Sequence, residues 1–188
     1  MKKVGVVKQH LLLILLLSNV SKTGVALGDE IKRMKEHFDG IIVDTGGRDS
    51  KEMRKAMLSA DIIIIPTIPS QYDVSVLDHM IEFFENAKDF NDKLIALVLV
   101  NRASPNPFLA KDLENLKAYI KEKRDEKGLT DLILLENVIY ERQAYKKAVL
   151  DGKSISEYCD KKDKAFLDFE QFYKELLNIA EKEIKNGI

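Results

Sequence analysis

An acidic residue and two glycines directly follow the short apolar run at residues 41–43. The acid is Asp44, and Gly46 and Gly47 come two and three residues later. A carboxylate at the tip of a strand can orient a magnesium-bound water beside a triphosphate, and glycines let the backbone approach phosphate closely. The same pattern also fits a tight turn after a strand. Asp44 is therefore a candidate acid for phosphoryl transfer, in a Walker B arrangement.

Residue types that perform other chemistry are scattered along the chain. His10, His37 and His79 have no metal-ligand spacing, so no metal site is expected. Cys159 is the single cysteine, which excludes an intrachain disulfide and paired thiols for zinc. No G-x-S-x-G nucleophile elbow is present, and Cys159 has no activating partner evident in the sequence, so hydrolase and redox chemistry are set aside. A single cysteine fits a reducing compartment, and we expect a cytoplasmic protein.

Composition limits the partners and the number of domains. Lys and Arg number 30 and Asp and Glu 31, giving a formal net charge of -1. This balance excludes a uniformly basic protein that coats nucleic acid, so any DNA contact must come from a local patch. The 188 residues, 45% of them hydrophobic, are most simply one domain spanning residues 1–188.

The apolar run at residues 11–17 follows a charged start and resembles a secretion signal. The run is short for such a signal, no A-x-A-like cleavage site follows it, and it cannot span a bilayer. A buried strand or helix is the better interpretation, and no membrane partner is expected.

From Gly40 onward, compact apolar runs alternate with amphipathic stretches. This pattern is typical of βα units that build a parallel sheet covered on both faces. The expected strands lack polar alternation, as buried inner strands do, and are residues 41–43, 62–65, 94–100 and 132–135. The expected helices are residues 25–37, 50–59, 74–87, 109–127 and about 164–185. The predicted fold class is α/β, with a doubly wound, mainly parallel sheet flanked by helices.

Two of these helices carry additional signals. Asp73 is placed to cap the first turn of the third helix. The last helix has an apolar face that is expected to dock on the sheet, formed by Phe166, Phe169, Phe172, Tyr173, Leu176, Leu177 and Ile184.

Proline-containing loops follow two of the expected strands, at residues 66–69 and 105–107. In open α/β sheets, ligands bind in the crevice beyond the carboxyl ends of the strands. These loops are either part of such a crevice or ordinary turns.

Four segments follow Asp44 in a defined order: ADIIIIPTIPS at 60–70, LVLVNR at 97–102, YERQAYKKA at 140–148 and GKS at 152–154. Their order and spacing resemble the ParA/MinD-type (Soj-like) family of chromosome and plasmid partition ATPases, which are deviant P-loop NTPases. The resemblance extends from about residue 38 to the C-terminus. Each motif is weak alone, and the family assignment rests on their succession.

The resemblance implies a P-loop NTPase-like fold that forms a nucleotide-sandwich homodimer with ATP and Mg²⁺ as cofactors. It also implies nonspecific DNA binding and a ParB-like DNA-binding partner that stimulates hydrolysis. By motif match, Asp44 is the Walker B acid and Gly46 and Gly47 form the switch loop. Asn101 and Arg102 lie beside the nucleotide base.

The late motifs supply candidates for the basic DNA-binding patch. These are Arg142, Lys146, Lys147 and Lys153. The four cations fit either a DNA-binding patch or a solvated helix face, because the chain as a whole is neutral.

The first part of the chain departs from the family. The glycine-rich loop K-G-G-x-G-K-[ST], which wraps the phosphates, is missing, and the nearest remnant is S-K-T-G at residues 21–24. The family's second strand and its aspartate-rich switch are missing too. Residues 1–24 therefore form an atypical segment before a family-like, N-terminally truncated domain at 25–188.

Two functional hypotheses follow. The favoured one is a ParA-like scaffold that has lost nucleotide hydrolysis and acts as a partner- or DNA-binding module, since loss of the P-loop removes most of the electrostatic stabilisation of phosphoryl transfer. The alternative is an active partition ATPase that binds ATP-Mg and nonspecific DNA in plasmid or chromosome segregation.

Overall fold

The computed structural model describes residues 26–38, 40–45 and 50–186. The chain divides into two compact units, Met1–Ala60 and Asp61–Ile188. The predicted features at residues 11–17 and 21–24, together with Gly46 and Gly47, lie outside the described residues.

The described part of the N-terminal unit contains two helices in contact, α1 (Ala26–Lys35) and α2 (Lys51–Ser59). Ser50 is the N-cap of α2, and its side chain accepts a hydrogen bond of 3.1 Å from the Met53 N–H. This satisfies one of the backbone donors that every helix start leaves open. Both helices begin and end close to their predicted limits.

The predicted inner strand at residues 41–43 is wrong. Residues 40–45 have no regular secondary structure, and Ile42 is 66% exposed. A strand forms only by hydrogen bonding to a neighbouring strand. The described part of the N-terminal unit contains helices but no extended partner, so the apolar run alone does not produce a strand there.

The C-terminal unit is built on a parallel three-stranded sheet. Its strands are β1 (Ile62–Thr67), β2 (Ile95–Val100) and β3 (Leu132–Leu134), in the order β1-β2-β3. The flanking helices are α3 (Gln71–Lys88), α4 (Ala110–Lys127), α5 (Gln143–Leu150), α6 (Ile155–Tyr158) and α7 (Lys164–Asn186). A 3-10 turn at Pro107–Leu109 precedes α4. The α/β fold class, with a parallel sheet flanked by helices, is confirmed.

Strand β2 is covered on both faces. Ile95, Leu97 and Leu99 form a core cluster against which Phe172 and Leu176 of α7 pack. The residues that alternate with them, Ala96, Val98 and Val100, point to the other face and are fully buried. Helices α3 and α4 connect successive parallel strands, and the right-handed crossover that such connections nearly always adopt would place both on that second face. The expected docking of the last helix on the sheet is confirmed at Phe172 and Leu176.

The prediction that every strand is an inner strand is wrong for β1 and β3, which lie at the edges of the described sheet. Ile64 of β1 is 41% exposed, whereas Ile65, which points to the opposite face, is buried. Continuous apolar sequence predicts burial on both faces, but only a central strand has neighbours that provide it.

The predicted capping role of Asp73 is also wrong. Helix α3 begins at Gln71, which places Asp73 inside the first turn. The Val74 N–H bonds to the Ser70 carbonyl at 3.3 Å, so helical hydrogen bonding already starts from Ser70.

Candidate functional site

The carboxyl ends of β1 and β2 meet at one edge of the sheet. Pro66 pairs with Leu99 and Thr67 with Val100. The Asn101 N–H then donates to the Thr67 carbonyl at 2.9 Å. The two loops with prolines therefore leave the sheet side by side, as the crevice prediction requires.

The first turn of the loop after β2 has an unusual backbone. Arg102 has φ 51°, in the left-handed region that side chains other than glycine rarely occupy. The Asn101 side-chain oxygen accepts a hydrogen bond of 3.0 Å from the Arg102 N–H. A bulky residue in this region costs about 1–2 kcal/mol, and such strain is concentrated at functional sites. The assignment of Asn101 and Arg102 to a nucleotide site stays a prediction, and the left-handed backbone makes this loop a position to test.

A second segment runs beside this loop and leads into α5. The Ala103 N–H donates to the Ile139 carbonyl at 3.1 Å, and the Glu141 N–H donates to the Ala103 carbonyl at 2.8 Å. Ala103 is buried between them. These bonds bring Glu141 beside Arg102, with 3.8 Å between the Arg102 guanidinium and a Glu141 carboxylate oxygen.

Glu141 is a further candidate residue of this region, which the sequence analysis does not single out. The same Glu141 oxygen that faces Arg102 accepts a hydrogen bond of 3.1 Å from the Lys146 ammonium. This hydrogen bond, with the nearby Arg102 charge, holds the pKa of Glu141 below its usual value. One carboxylate thus joins a residue predicted to lie near the nucleotide base with a residue predicted to contact DNA.

Arg142 is partly buried and bonded to an acid of α7. Its Nε donates to Asp168 at 2.6 Å and its terminal nitrogen donates to the other Asp168 oxygen at 3.3 Å. The hydrogen bond to Asp168 raises the pKa of Arg142 above its ordinary value. The guanidinium also lies 5.3 Å from the centre of the Tyr140 ring. Its donors to Asp168 are therefore not available for DNA phosphates.

The other predicted DNA-binding residues lie in and after α5. Lys146, Lys147 and Lys153 are all exposed. Lys146 pairs with Glu141, whereas Lys147 and Lys153 form no ion pair within the described residues. The predicted patch therefore contains two cations in ion pairs, Arg142 and Lys146, and two exposed cations, Lys147 and Lys153.

The residues predicted to bind the nucleotide and Mg²⁺ are divided between the two units of the chain. Asp44 is exposed and belongs to the N-terminal unit, whereas Asn101 and Arg102 belong to the C-terminal unit. A single carboxylate suits Mg²⁺ only together with phosphate oxygens and water. Among the described residues, no cluster of His, Cys, Asp or Glu could hold a metal ion without such help.

None of the described helices is long and apolar enough to cross a membrane.

Two comparisons with known proteins bear on the family resemblance. Residues 6–96 match the family model of an AAA domain. The chain is also 24% identical, over 126 residues, to the Maintenance of carboxysome distribution protein A of Halothiobacillus neapolitanus. That alignment covers 66% of this chain and 54% of the relative, so the chain spans about half the length of the curated relative it matches.

Both matches support a ParA-like relationship. The family match contains Asp44, Gly46, Gly47 and β1. It begins at residue 6 and so includes most of the segment that the sequence analysis treats as atypical. The predicted loss of the phosphate loop gains no support from it.

Proposed function

We propose that this chain is a ParA-like positioning scaffold that binds a partner without turning over ATP. The single observation that carries the proposal is that the sheet edge is retained while the phosphate-binding motif is absent from the sequence. The loops after β1 and β2 are held in register at one sheet edge, while the sequence contains no glycine-rich phosphate loop. The relative is named for the maintenance of carboxysome distribution, which is a positioning task.

The chemistry of phosphoryl transfer explains why the contrast matters. P-loop enzymes stabilise the transferring phosphoryl group through backbone amides, a lysine and Mg²⁺. Asp44 can help to place Mg²⁺ but cannot replace the amides or the lysine. A chain that keeps its sheet edge without the phosphate loop retains binding surfaces and lacks most of the catalytic electrostatics.

The second candidate is an active partition ATPase. The family match from residue 6 and the retained Asp44, Gly46 and Gly47 favour it. In that case the chain would bind ATP and Mg²⁺, form a homodimer and respond to a ParB-like partner.

Nonspecific DNA is a further candidate ligand under either hypothesis. Lys147 and Lys153 are the predicted phosphate contacts that stay open to solvent. Arg142 and Lys146 are bonded to Asp168 and Glu141. Two phosphate contacts support only weak binding that salt readily reduces.

Phosphate release at saturating ATP and Mg²⁺ tests the proposal. The parent is compared with Asp44→Asn, with and without duplex DNA. We expect the same background rate in all four reactions. Turnover in the parent that Asp44→Asn abolishes would replace the scaffold with the ATPase.

A further inference from the structure

The segment that follows β3 bulges away from β2 before it reaches the candidate site. The carbonyls of Val98 and Val100, which are two residues apart in β2, both accept hydrogen bonds from this segment. Their donors, the Leu135 and Ile139 N–H groups at 3.0 Å each, are four residues apart. A regular parallel ladder would place two residues beside two. We call the extra stretch, residues 136–138, the β3 bulge.

A carboxylate of α7 bonds the main chain of the β3 bulge. One oxygen of Glu175 accepts from the Glu136 N–H at 2.8 Å. Its other oxygen accepts from the Asn137 N–H at 3.0 Å and from the Asn137 side-chain nitrogen at 2.8 Å. Main-chain donors that leave a ladder need another acceptor, and a hydrogen bond to an ionised group is about twice as strong as a neutral one. Glu175 thus supplies the acceptors that β2 supplies elsewhere in the ladder.

The β3 bulge determines which side chain meets the loop after β2. Between the β2–β3 ladder and the bridge that pairs Ala103 with Tyr140, the β3 side contains one residue more than the β2 side. Successive side chains of an extended chain point to opposite faces, so a shift of one residue exchanges the faces. In the shifted register, Glu141 lies 3.8 Å from Arg102. Without the shift, Tyr140 would take the place of Glu141.

A second carboxylate of α7 bonds the same segment on the other side of Glu141. Asp168 accepts two hydrogen bonds from Arg142, at 2.6 and 3.3 Å. Asp168 and Glu175 are seven residues apart, a spacing that places them on one side of a helix. Helix α7 therefore fixes the segment both before and after the residue that faces Arg102.

We propose that α7 sets the geometry of the candidate site, with Glu175 as the residue that holds the β3 bulge in its register. Glu175 is a positioning residue, because it acts on Glu141 and Arg102 through the backbone that it bonds. Bulges near binding sites re-aim side chains in this way. The inference rests on the proposed scaffold function, since it concerns the sheet edge that the scaffold retains, and it names the element that controls that edge.

Amide hydrogen exchange measured by NMR on the full chain, without nucleotide, tests the proposal. Glu175→Gln keeps the shape of the side chain and removes its charge and one acceptor. We expect the Glu136, Asn137 and Glu141 amides to exchange about 10-fold faster in this variant. The Val98 amide should keep the rate of the parent, because the β2 ladder before the bulge does not depend on Glu175.

Glu170→Gln is the matched control, because Glu170 lies on the same helix and pairs with Lys174 inside it at 3.2 Å. It should change none of these exchange rates. Glu175→Ala removes both acceptor oxygens, and we expect it to abolish the nuclear Overhauser contact between the backbone protons of Ala103 and Tyr140. Should Glu175→Ala fail to fold, the exchange rates of Glu175→Gln still decide the question.

Two results would overturn the proposal. Equal acceleration of exchange in the bulge and at Val98 would show that Glu175 contributes only to the stability of the whole unit. Unchanged exchange in the bulge of Glu175→Gln would show that the register does not need the carboxylate. ATP turnover by the parent would overturn the scaffold function and leave these exchange rates as they are, so the two failures are distinguishable.

Discussion

Arg142 and Asp168 form an ion pair with two hydrogen bonds that ties the start of α5 to α7. The two bonds measure 2.6 and 3.3 Å, and the side chains are only 20% and 13% exposed. Two parallel bonds to one carboxylate use the planar geometry of guanidinium, which an ammonium cannot reproduce. Arg142 thus helps to hold the C-terminal unit together.

Replacing Arg142 should destabilise the protein. Arg142→Ala leaves the half-buried Asp168 carboxylate without its partner, so we expect the free energy of unfolding to fall by about 2 kcal/mol. Urea denaturation measures this change. Lys146→Ala is the control, because its ion pair with Glu141 is exposed and should contribute below about 0.5 kcal/mol. Equal small losses in both variants would show that the Arg142 pair is only a surface contact.

The Glu141 carboxylate should limit DNA binding. With Lys147 and Lys153 as the contacts, the log-log salt slope on duplex DNA should be about -1.8, against about -3.6 for four contacts. Glu141→Gln releases Lys146 and should increase the size of the slope by about 0.9. Fluorescence titration at several salt concentrations provides the slope. Glu82→Gln is the control, because it removes one negative charge from α3. An equal increase in the size of the salt slope in that variant would contradict a local patch.

The left-handed backbone of Arg102 predicts a stabilising substitution. Glycine adopts φ 51° freely, so Arg102→Gly should raise the free energy of unfolding by about 1 kcal/mol. The lost contact with Glu141 is exposed and costs little. Asn106 lies in the same loop at φ -74° and caps the Phe108 N–H, so Asn106→Gly should lower stability. Loss of stability in both variants would show that the Arg102 side chain matters more than its backbone.

Tyr119 predicts a stability loss in alkali. Burial and then the hydrogen bond of 2.5 Å to Asp78 raise the pKa of Tyr119 from 10.0 to about 12. Because the pKa of Tyr119 is higher in the folded state, protonated Tyr119 contributes to the free energy of unfolding. This contribution is complete below pH 10 and is lost as the pH approaches about 12. Unfolding measured across this range should show less pH dependence in Tyr119→Phe. A tyrosinate absorbance difference between the two proteins that titrates near pH 10 would contradict the assignment.

The long periodic segments of the sequence predict most of the C-terminal unit. The all-apolar stretch of β2 and the helical spacing of Leu77, Ile81 and Phe84 are local signals, and the structure buries these residues. Residues 41–43 carry a similar apolar signal without forming a strand. The difference lies in pairing, because β2 has a neighbour on each side. Pairing is a tertiary property that a short run cannot specify.

The candidate site was harder to predict for the same reason. Asp168 lies 26 residues after Arg142, and no local pattern links them. Glu141 lies within the YERQAYKKA motif, but its contact with Arg102 depends on the loop pairing at Ala103. Helix α6, which is not among the expected helices, does have a local sequence signal. Ser154 and Glu157 have capping-box spacing, and they form that box at the start of α6.

Calorimetric titration of the chain with ATP and Mg²⁺ tests the central claim most directly. The account predicts no saturable binding in the micromolar range, because a chain without the glycine-rich loop cannot surround the phosphates with backbone amides. Lys22→Ala and Asp44→Asn should then give the same trace as the parent. Micromolar binding that either substitution abolishes would contradict the account and show that S-K-T-G at residues 21–24 and Asp44 form a working nucleotide site.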